Sequence, residues 1–227
     1  MTTRECVENE GFAILTNVLS FSDIVHVAEE LQKCVPHRSR AGIRHALQYS
    51  PVAALATDTR LLKLARQTLG ERAFPFRATL FDKSPDANWL VVWHQDTALP
   101  VRKRQDREGW GPWSVKEGVI YAHAPANVLE QILALRVHLD DSTLDNGPLR
   151  VMPGSQTLGV LTDEAIRQLA EQISPVDCPV ASGGVLAMKP LIVHASSKSR
   201  MSARRRVLHI EYAASRELAQ GLELAVV

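Results

Sequence analysis

After Gly70 the spacing of apolar residues changes from a helical pattern to a strand-like one. Short apolar or alternating runs follow, bounded by Gly, Pro, Asn and Asp, and they cover 73–81, 88–93, 133–139, 148–152, 185–188, 191–194 and 206–212. Many short strands after a helical block predict a mainly β fold. We expect a double-stranded β-helix, the cupin-like jelly-roll barrel, buttressed by N-terminal α-helices.

The helical block begins after a short apolar strand at 11–15. Ser20 and Asp23 form a capping-box pattern before a helix over 21–35, and Ser50-Pro51 opens one or two helices that end at Gly70. A further helix is predicted at 162–173, between strands. A chain of 227 residues with 45% hydrophobic content suits one domain. We therefore predict a single domain over 1–227, with 1–72 as helical support and 73–215 as the jelly-roll core.

Composition argues against several classes of protein. A net charge of +1 and a pI near 7.8 give no overall attraction to nucleic acid or to a membrane surface. The N-terminus lacks the basic and apolar regions of a leader, and no apolar run reaches membrane-spanning length. Cys6, Cys34 and Cys178 are too widely spaced for a zinc site or a disulfide framework. We expect a cytoplasmic protein that acts on a small molecule, and we leave its oligomeric state open.

Two of the predicted strands deliver metal-binding side chains. His94 and Asp96 follow an apolar run, and residues two apart on an extended strand point to the same side. A second apolar run ends at His194. Two histidines and one carboxylate leave coordination positions open, which is the ligand set of non-haem Fe(II) oxygenases. His-x-Asp alone is a weak signal, and a buried histidine followed by a turn residue is the alternative.

The next strand supplies a candidate carboxylate clamp. Arg205 lies eleven residues after His194, at the start of the run Arg205–Tyr212. Strand alternation places Arg205 on a polar face that we expect to line a cavity, and Arg206 on the apolar face. A guanidinium binds a carboxylate through two parallel hydrogen bonds, so this position suits a 2-oxo acid bound to the metal.

At this point the chain resembles the phytanoyl-CoA dioxygenase family of Fe(II)/2-oxoglutarate oxygenases. The motifs that carry the resemblance keep the family's order and spacing, and they are Leu80–Pro85, Trp93–Asp96, Asn146–Ser155, His194–Ser196 and the Arg205 strand. The resemblance implies iron held by His94, Asp96 and His194, with 2-oxoglutarate and O2 as co-substrates. Asp96 favours hydroxylation, because relatives that halogenate have a small residue there.

The resemblance also implies the contacts of 2-oxoglutarate. Arg205 is expected to hold its distal carboxylate, and Ser196, on the same strand face as His194, to share it. Thr79 and Arg136 fall where family members contact the co-substrate, although Arg136 could equally be an exposed charge paired with Asp140. Lys83 receives no catalytic role. Gln156 stands where the family usually has His, which puts any contact of that His in doubt.

Two connections could cover the site. The segment 97–126 is predicted to be a long loop over the substrate, with Trp110, Trp113 and Tyr121 as substrate contacts; the alternative is that the tryptophans pack the loop on the barrel. The basic segment 36–49 could reach over a substrate or be a solvated loop, and its charges hint at an anionic group.

The predicted activity is hydroxylation of a small metabolite, with 2-oxoglutarate converted to succinate and CO2. Two alternatives stay open: a metal-dependent cupin-like enzyme without 2-oxoglutarate, and a non-catalytic jelly-roll binding module. The remaining histidines, His123, His138 and His209, are expected to be structural or loop residues rather than ligands.

Overall fold

The computed structural model describes residues 1–35 and 42–227, so residues 36–41 of the basic segment lie outside the description. The N-terminal part contains α1 (Thr3–Asn9), β1 (Phe12–Leu15), α2 (Phe21–Cys34), α3 (Ser50–Ala56) and α4 (Thr59–Leu69). Thr2 and Ser20 both form capping boxes, which satisfy the free N–H groups at the start of α1 and α2. The helix predicted at 21–35 is therefore confirmed.

The rest of the chain is dominated by short strands. They are β2 (Phe74–Lys83), β3 (Val91–His94), β4 (Ala98–Val101), β5 (Trp113–Lys116), β6 (Val119–His123), β7 (Ile132–His138), β8 (Leu149–Val151), β9 (Val176–Cys178), β10 (Val185–Met188), β11 (His194–Ser196) and β12 (Arg205–Ala213). The short helix α5 (Ala126–Leu129) precedes β7, and α6 (Asp163–Gln172) lies between β8 and β9 as predicted.

Across the described chain these strands form three antiparallel sheets. The largest has the order β1-β10-β7-β12-β2, the second has the order β3-β11-β8-β9, and the third is β4-β6-β5. Apolar side chains from the first two sheets meet in one buried cluster that includes Leu149, Val151, Leu186 and Met188. Two packed antiparallel sheets with crossing connections form the predicted jelly-roll.

The largest sheet has one face toward the N-terminal helices and one toward the barrel interior. Leu208, Ile210 and Tyr212 of β12 pack in the cluster that contains the helices, and the Tyr212 hydroxyl donates to the Ala56 carbonyl at 2.8 Å. Arg205 and its alternating partners face the other way, into the barrel. The predicted alternation of this strand is confirmed.

The segment 97–126 differs from the long loop predicted for it. It contains the β4-β6-β5 sheet, and this sheet packs on its own apolar cluster together with the buried Trp110. The alternating apolar residues of β4 and β6 are too few for their strands to be evident from the sequence, and the pairing becomes visible only in the folded chain. No helix in the described ranges is long and apolar enough to cross a membrane.

Candidate metal centre and co-substrate cavity

The three predicted metal ligands converge at one point. The antiparallel pairing of β3 with β11 sets His94 opposite His194, and their ring centroids are 4.2 Å apart. The Nε2 atoms of His94 and His194 lie 3.7 and 3.5 Å from the carboxylate oxygens of Asp96. One ligand atom from each residue falls within 4.8 Å of the others, which is close enough for a single metal ion.

Backbone carbonyls set the tautomer of both histidines. The Nδ1 atom of His94 is 2.8 Å from the Val92 carbonyl oxygen, and that of His194 is 2.9 Å from the Ile192 carbonyl oxygen. A carbonyl oxygen only accepts, so each Nδ1 carries the proton and each Nε2 presents its lone pair to the centre. Burial and the adjacent His94 lower the pKa of His194 to about 4, which keeps its ring in the neutral form that binds metals.

Gln95, between the ligands His94 and Asp96, helps to hold the metal centre in position. Gln95 is buried, and its side-chain amide donates to the Leu191 carbonyl at 2.7 Å. Its side-chain oxygen accepts from the Leu161 N–H at 2.8 Å. Gln95 thus ties the strand of His94 and Asp96 to the segment that leads into His194. The alternation that directs His94 and Asp96 inward also directs Gln95 outward, and this signal could have identified it as a positioning residue.

A cavity of about 250 Å³ adjoins the three ligands. Of the other residues predicted for the site, five line it: Thr79, Tyr121, Arg136, Ser196 and Arg205. Cross-strand pairs of β2 and β12 form one wall, with Lys83 opposite Arg205, Thr79 opposite His209 and Arg77 opposite Glu211. We call the Lys83 and Arg205 side the inner end of the cavity, and the Arg77 and Glu211 side the outer end.

Three cations are buried at or near the inner end. Lys83, Arg136 and Arg205 have exposed fractions of 1%, 6% and 3%. Lys83 Nζ donates to the Ser196 hydroxyl at 2.8 Å and to the Ser197 carbonyl at 2.6 Å. Within the described ranges none of the three cations forms an ion pair. Isolated buried charges are costly, so an anionic ligand would stabilise this wall.

The hydrogen bonds of the two arginines are incomplete in the same region. Arg136 donates to His209 Nδ1 at 3.0 Å, and Arg205 donates to the Ser142 hydroxyl at 3.3 Å. The Nε atoms of both arginines and both ring nitrogens of the buried His138 have no hydrogen-bond partner among the described residues. A bound carboxylate would supply acceptors to the two arginines.

Burial also changes the acidity of these cations. It lowers the pKa of Arg136 and of Arg205 to about 10, the latter with a contribution from Arg136. Burial and the charges of Arg205 and Arg136 lower the pKa of Lys83 to about 7. An anion at the inner end would relieve this repulsion. The alternative pairing of Arg136 with Asp140 is wrong, because Asp140 accepts two hydrogen bonds from Arg206, each at 2.7 Å.

The outer end holds an ion pair between Arg77 and Glu211 that was not predicted from the sequence. Arg77 forms a bidentate pair with the buried Glu211, with Nη2 to Oε1 at 2.5 Å, and also donates to the Ala98 carbonyl at 2.7 Å. Arg77, Phe81 and Lys83 lie two or four residues from Thr79 on β2, so their side chains share its face. The prediction that Thr79 lines the cavity therefore implied that these three residues line it as well. Glu211 belongs to the polar face of β12.

Several predicted residues lie outside the cavity. Trp110 and Trp113 pack in the apolar cluster under the β4-β6-β5 sheet, which corrects their prediction as substrate contacts and matches the alternative. Gln156 donates to the Glu8 and Asn9 carbonyls, both at 3.1 Å, and so holds the end of α1 rather than the metal centre. His209, expected to be structural, does line the cavity.

A family model described as phytanoyl-CoA dioxygenase matches residues 7–207 of the chain. The chain belongs to this family. The match confirms the resemblance carried by the metal-ligand and arginine motifs.

Three individual proteins that resemble this chain have sequence identities of 20% to 28%. L-proline trans-4-hydroxylase from Streptomyces griseoviridis is 28% identical over 178 residues, which cover 67% of this chain and 59% of that protein. EctD from S. alaskensis, solved with 2-oxoglutarate and 5-hydroxyectoine, has a TM-score of 0.69 at 20% identity, covering 94% of this chain and 76% of that one. The epimerase SnoN, in complex with Fe3+, alpha ketoglutarate and nogalamycin RO, has a TM-score of 0.70 at 20% identity, covering 93% and 82%. These structures share the jelly-roll fold.

Proposed function

We propose that this protein is an Fe(II)/2-oxoglutarate-dependent dioxygenase that hydroxylates a small metabolite. One observation carries the proposal: the His94, Asp96 and His194 cluster adjoins a cavity whose inner wall holds buried cations without carboxylate partners. A cupin-like enzyme without 2-oxoglutarate, or a binding module, would leave those cations uncompensated. A closed structural metal site would need a fourth protein ligand, and the described part of the chain supplies three.

In this proposal one set of residues binds the metal and another set binds the co-substrate. His94 Nε2, His194 Nε2 and an Asp96 oxygen hold ferrous iron. Arg205 and Lys83, opposite each other on β12 and β2, hold the distal carboxylate of 2-oxoglutarate. The predicted contacts Ser196, Thr79 and Arg136 line the same cavity, which suits them to orient the co-substrate.

When bound, iron and 2-oxoglutarate supply the oxidising chemistry, in which O2 is used, 2-oxoglutarate becomes succinate and CO2, and a C–H bond of the substrate is hydroxylated. The protein contributes orientation and exclusion of water. The presence of Asp96 favours hydroxylation over halogenation. The size of the cavity and the small amino-acid substrate named for the proline hydroxylase relative support a small metabolite.

A location in the cytoplasm is part of the same proposal. Cys6, Cys34 and Cys178 are all unpaired, as is typical of proteins in a reducing compartment. The chain's net charge of +1 supports a small-molecule substrate rather than nucleic acid.

The test is anaerobic addition of Fe(II) and 2-oxoglutarate to the protein. Chelation of the oxo acid to ferrous iron gives a weak visible charge-transfer band, so the wild-type protein is expected to show one. His94→Ala and Asp96→Ala should abolish the band, whereas His123→Ala, at a histidine outside the cavity, should keep it. Succinate release in air, measured across a metabolite panel, then identifies the substrate. A wild-type protein that holds zinc and shows no band would contradict the proposal.

A further inference from the structure

The charge of the cavity is not balanced by iron and 2-oxoglutarate. Within the described ranges its lining includes six cations and two carboxylates, which are Arg44, Arg77, Lys83, Lys116, Arg136, Arg205, Asp96 and Glu211. On the proposed function, on which this inference rests, the two charges of ferrous iron and those of the 2-oxoglutarate dianion cancel each other. A surplus of positive charge therefore remains for another ligand to neutralise.

The surplus can be located by assigning each charge to its neighbours. The proposed function assigns the cations of the inner wall to the co-substrate carboxylate, and Arg77 at the outer end is neutralised by Glu211. Lys116 and Arg44 remain, and both line the outer part of the cavity while staying exposed to solvent. Lys116 has no carboxylate partner among the described residues, and Arg44 has only a long contact of 3.4 Å with the exposed Glu117. They lie where a second ligand would enter, on the side away from Lys83 and Arg205.

The β5-β6 hairpin holds Lys116 in this position. Glu117 and Gly118 form the two-residue turn with φ values of 51° and 81°, the left-handed geometry of a tight hairpin. Lys116 Nζ lies 5.0 Å from the centre of the buried Tyr121 ring and has no carboxylate partner among the described residues. The Tyr121 hydroxyl is 3.0 Å from His45 Nε2, which fixes the ring on which the lysine lies.

Arg44 is held loosely by a contact with Glu117, the neighbour of Lys116 in the hairpin turn. Its Nη1 atom is 3.4 Å from Glu117 Oε1, at the long end of hydrogen-bond distances, and its side chain is 46% exposed. Burial lowers the pKa of Lys116, and the charges of Arg44 and Arg77 lower it further because the three cations repel one another. An anion between Arg44 and Lys116 would replace a weak contact and relieve this repulsion.

We propose that the substrate is a small anion whose carboxylate or phosphate group binds between Lys116 and Arg44, with its reacting carbon directed toward the metal centre. The cavity of about 250 Å³ must also hold 2-oxoglutarate, which favours a small molecule. The two cations at the opening attract the anion and set its orientation, and the Arg77–Glu211 pair forms the adjacent wall.

The experiment uses the anaerobic protein with Fe(II) and saturating 2-oxoglutarate, so that the inner cations are already occupied. Acetate and inorganic phosphate serve as probes, with acetamide as the uncharged counterpart of acetate, and binding is followed by calorimetry. We expect saturable binding of acetate, phosphate or both, and none of acetamide. The anion that binds more tightly identifies a carboxylate or a phosphate as the substrate group.

Variants locate the binding. Lys116→Gln and Arg44→Gln should each weaken anion binding by roughly tenfold or more, and Lys103→Gln, at an exposed lysine outside the cavity, should leave it unchanged. Equal affinity in all variants, or no saturable binding by the wild type, would overturn the inference. The charge-transfer band is recorded in the same sample. A normal band without anion binding contradicts only the inference, whereas an absent band contradicts the proposed function.

Discussion

Replacement of Arg205 by alanine tests the co-substrate site directly, because its neighbour Arg206 provides a matched control. Arg205 has an exposed fraction of 3%, forms no ion pair within the described ranges, and leaves its Nε atom without a partner there. Arg206 lies on the other face of the strand and is paired with Asp140 through two hydrogen bonds of 2.7 Å. The two substitutions remove the same charge at adjacent positions, one facing the cavity and one paired on the opposite face of the strand.

The magnitude follows from the surroundings of Arg205. Loss of a charged, desolvated contact to a carboxylate costs about 2 to 5 kcal/mol. Lys83 and Arg136 remain in the wall, and removal of Arg205 lessens the repulsion that lowers the pKa of Lys83. We therefore expect the lower part of that range, about 2 to 3 kcal/mol, which weakens 2-oxoglutarate binding by roughly 30- to 150-fold.

The assay is an anaerobic titration of 2-oxoglutarate into the Fe(II) protein, followed by the visible charge-transfer band. Iron binding, measured separately by metal analysis, should be unchanged in Arg205→Ala because the ligands His94, Asp96 and His194 are untouched. Arg206→Ala should bind 2-oxoglutarate within about twofold of the wild type, since it loses only a partly exposed ion pair. A larger effect from Arg206→Ala, or equal effects, would refute the assignment of the cavity face of β12.

Two further predictions concern Lys83 and Trp110. Because the pKa of Lys83 is lowered to about 7, this group loses its proton above neutral pH, so 2-oxoglutarate affinity should fall as the pH rises above about 7. Lys83→Met should bind 2-oxoglutarate more weakly than the wild type at pH 6 and show little of this decline. An identical decline in both proteins would show that Lys83 is not the group that titrates. Trp110→Ala should reduce the free energy of unfolding, measured in urea, by about 3 to 5 kcal/mol, because Trp110 is a core residue. Folded Trp110→Ala is expected to show a normal charge-transfer band. If Trp110→Ala kept wild-type stability but no longer bound 2-oxoglutarate, the assignment of Trp110 to the core would be contradicted.

The sequence alone determined the features that follow from local backbone geometry. The change of period after Gly70 predicted a β fold behind helices, and the two-residue spacing of His94 and Asp96 directed both side chains to one side of their strand. The same alternation separated Arg205 from Arg206, and the structure confirms that separation. These inferences succeed because the direction of a side chain on a strand depends only on its position along that strand.

Only the tertiary structure decided which of these faces meet. Lys83 is distant in sequence from Arg205 and Ser196, and it becomes a wall of the co-substrate cavity only when β2 pairs with β12 and packs near β11. The pairing of β4, β5 and β6 likewise places Trp110 in a core, although its position after the metal ligands suggested a substrate contact. A hairpin turn sets the register of neighbouring strands such as β5 and β6, but the pairing of strands distant in sequence depends on the apolar surface that the folded chain buries.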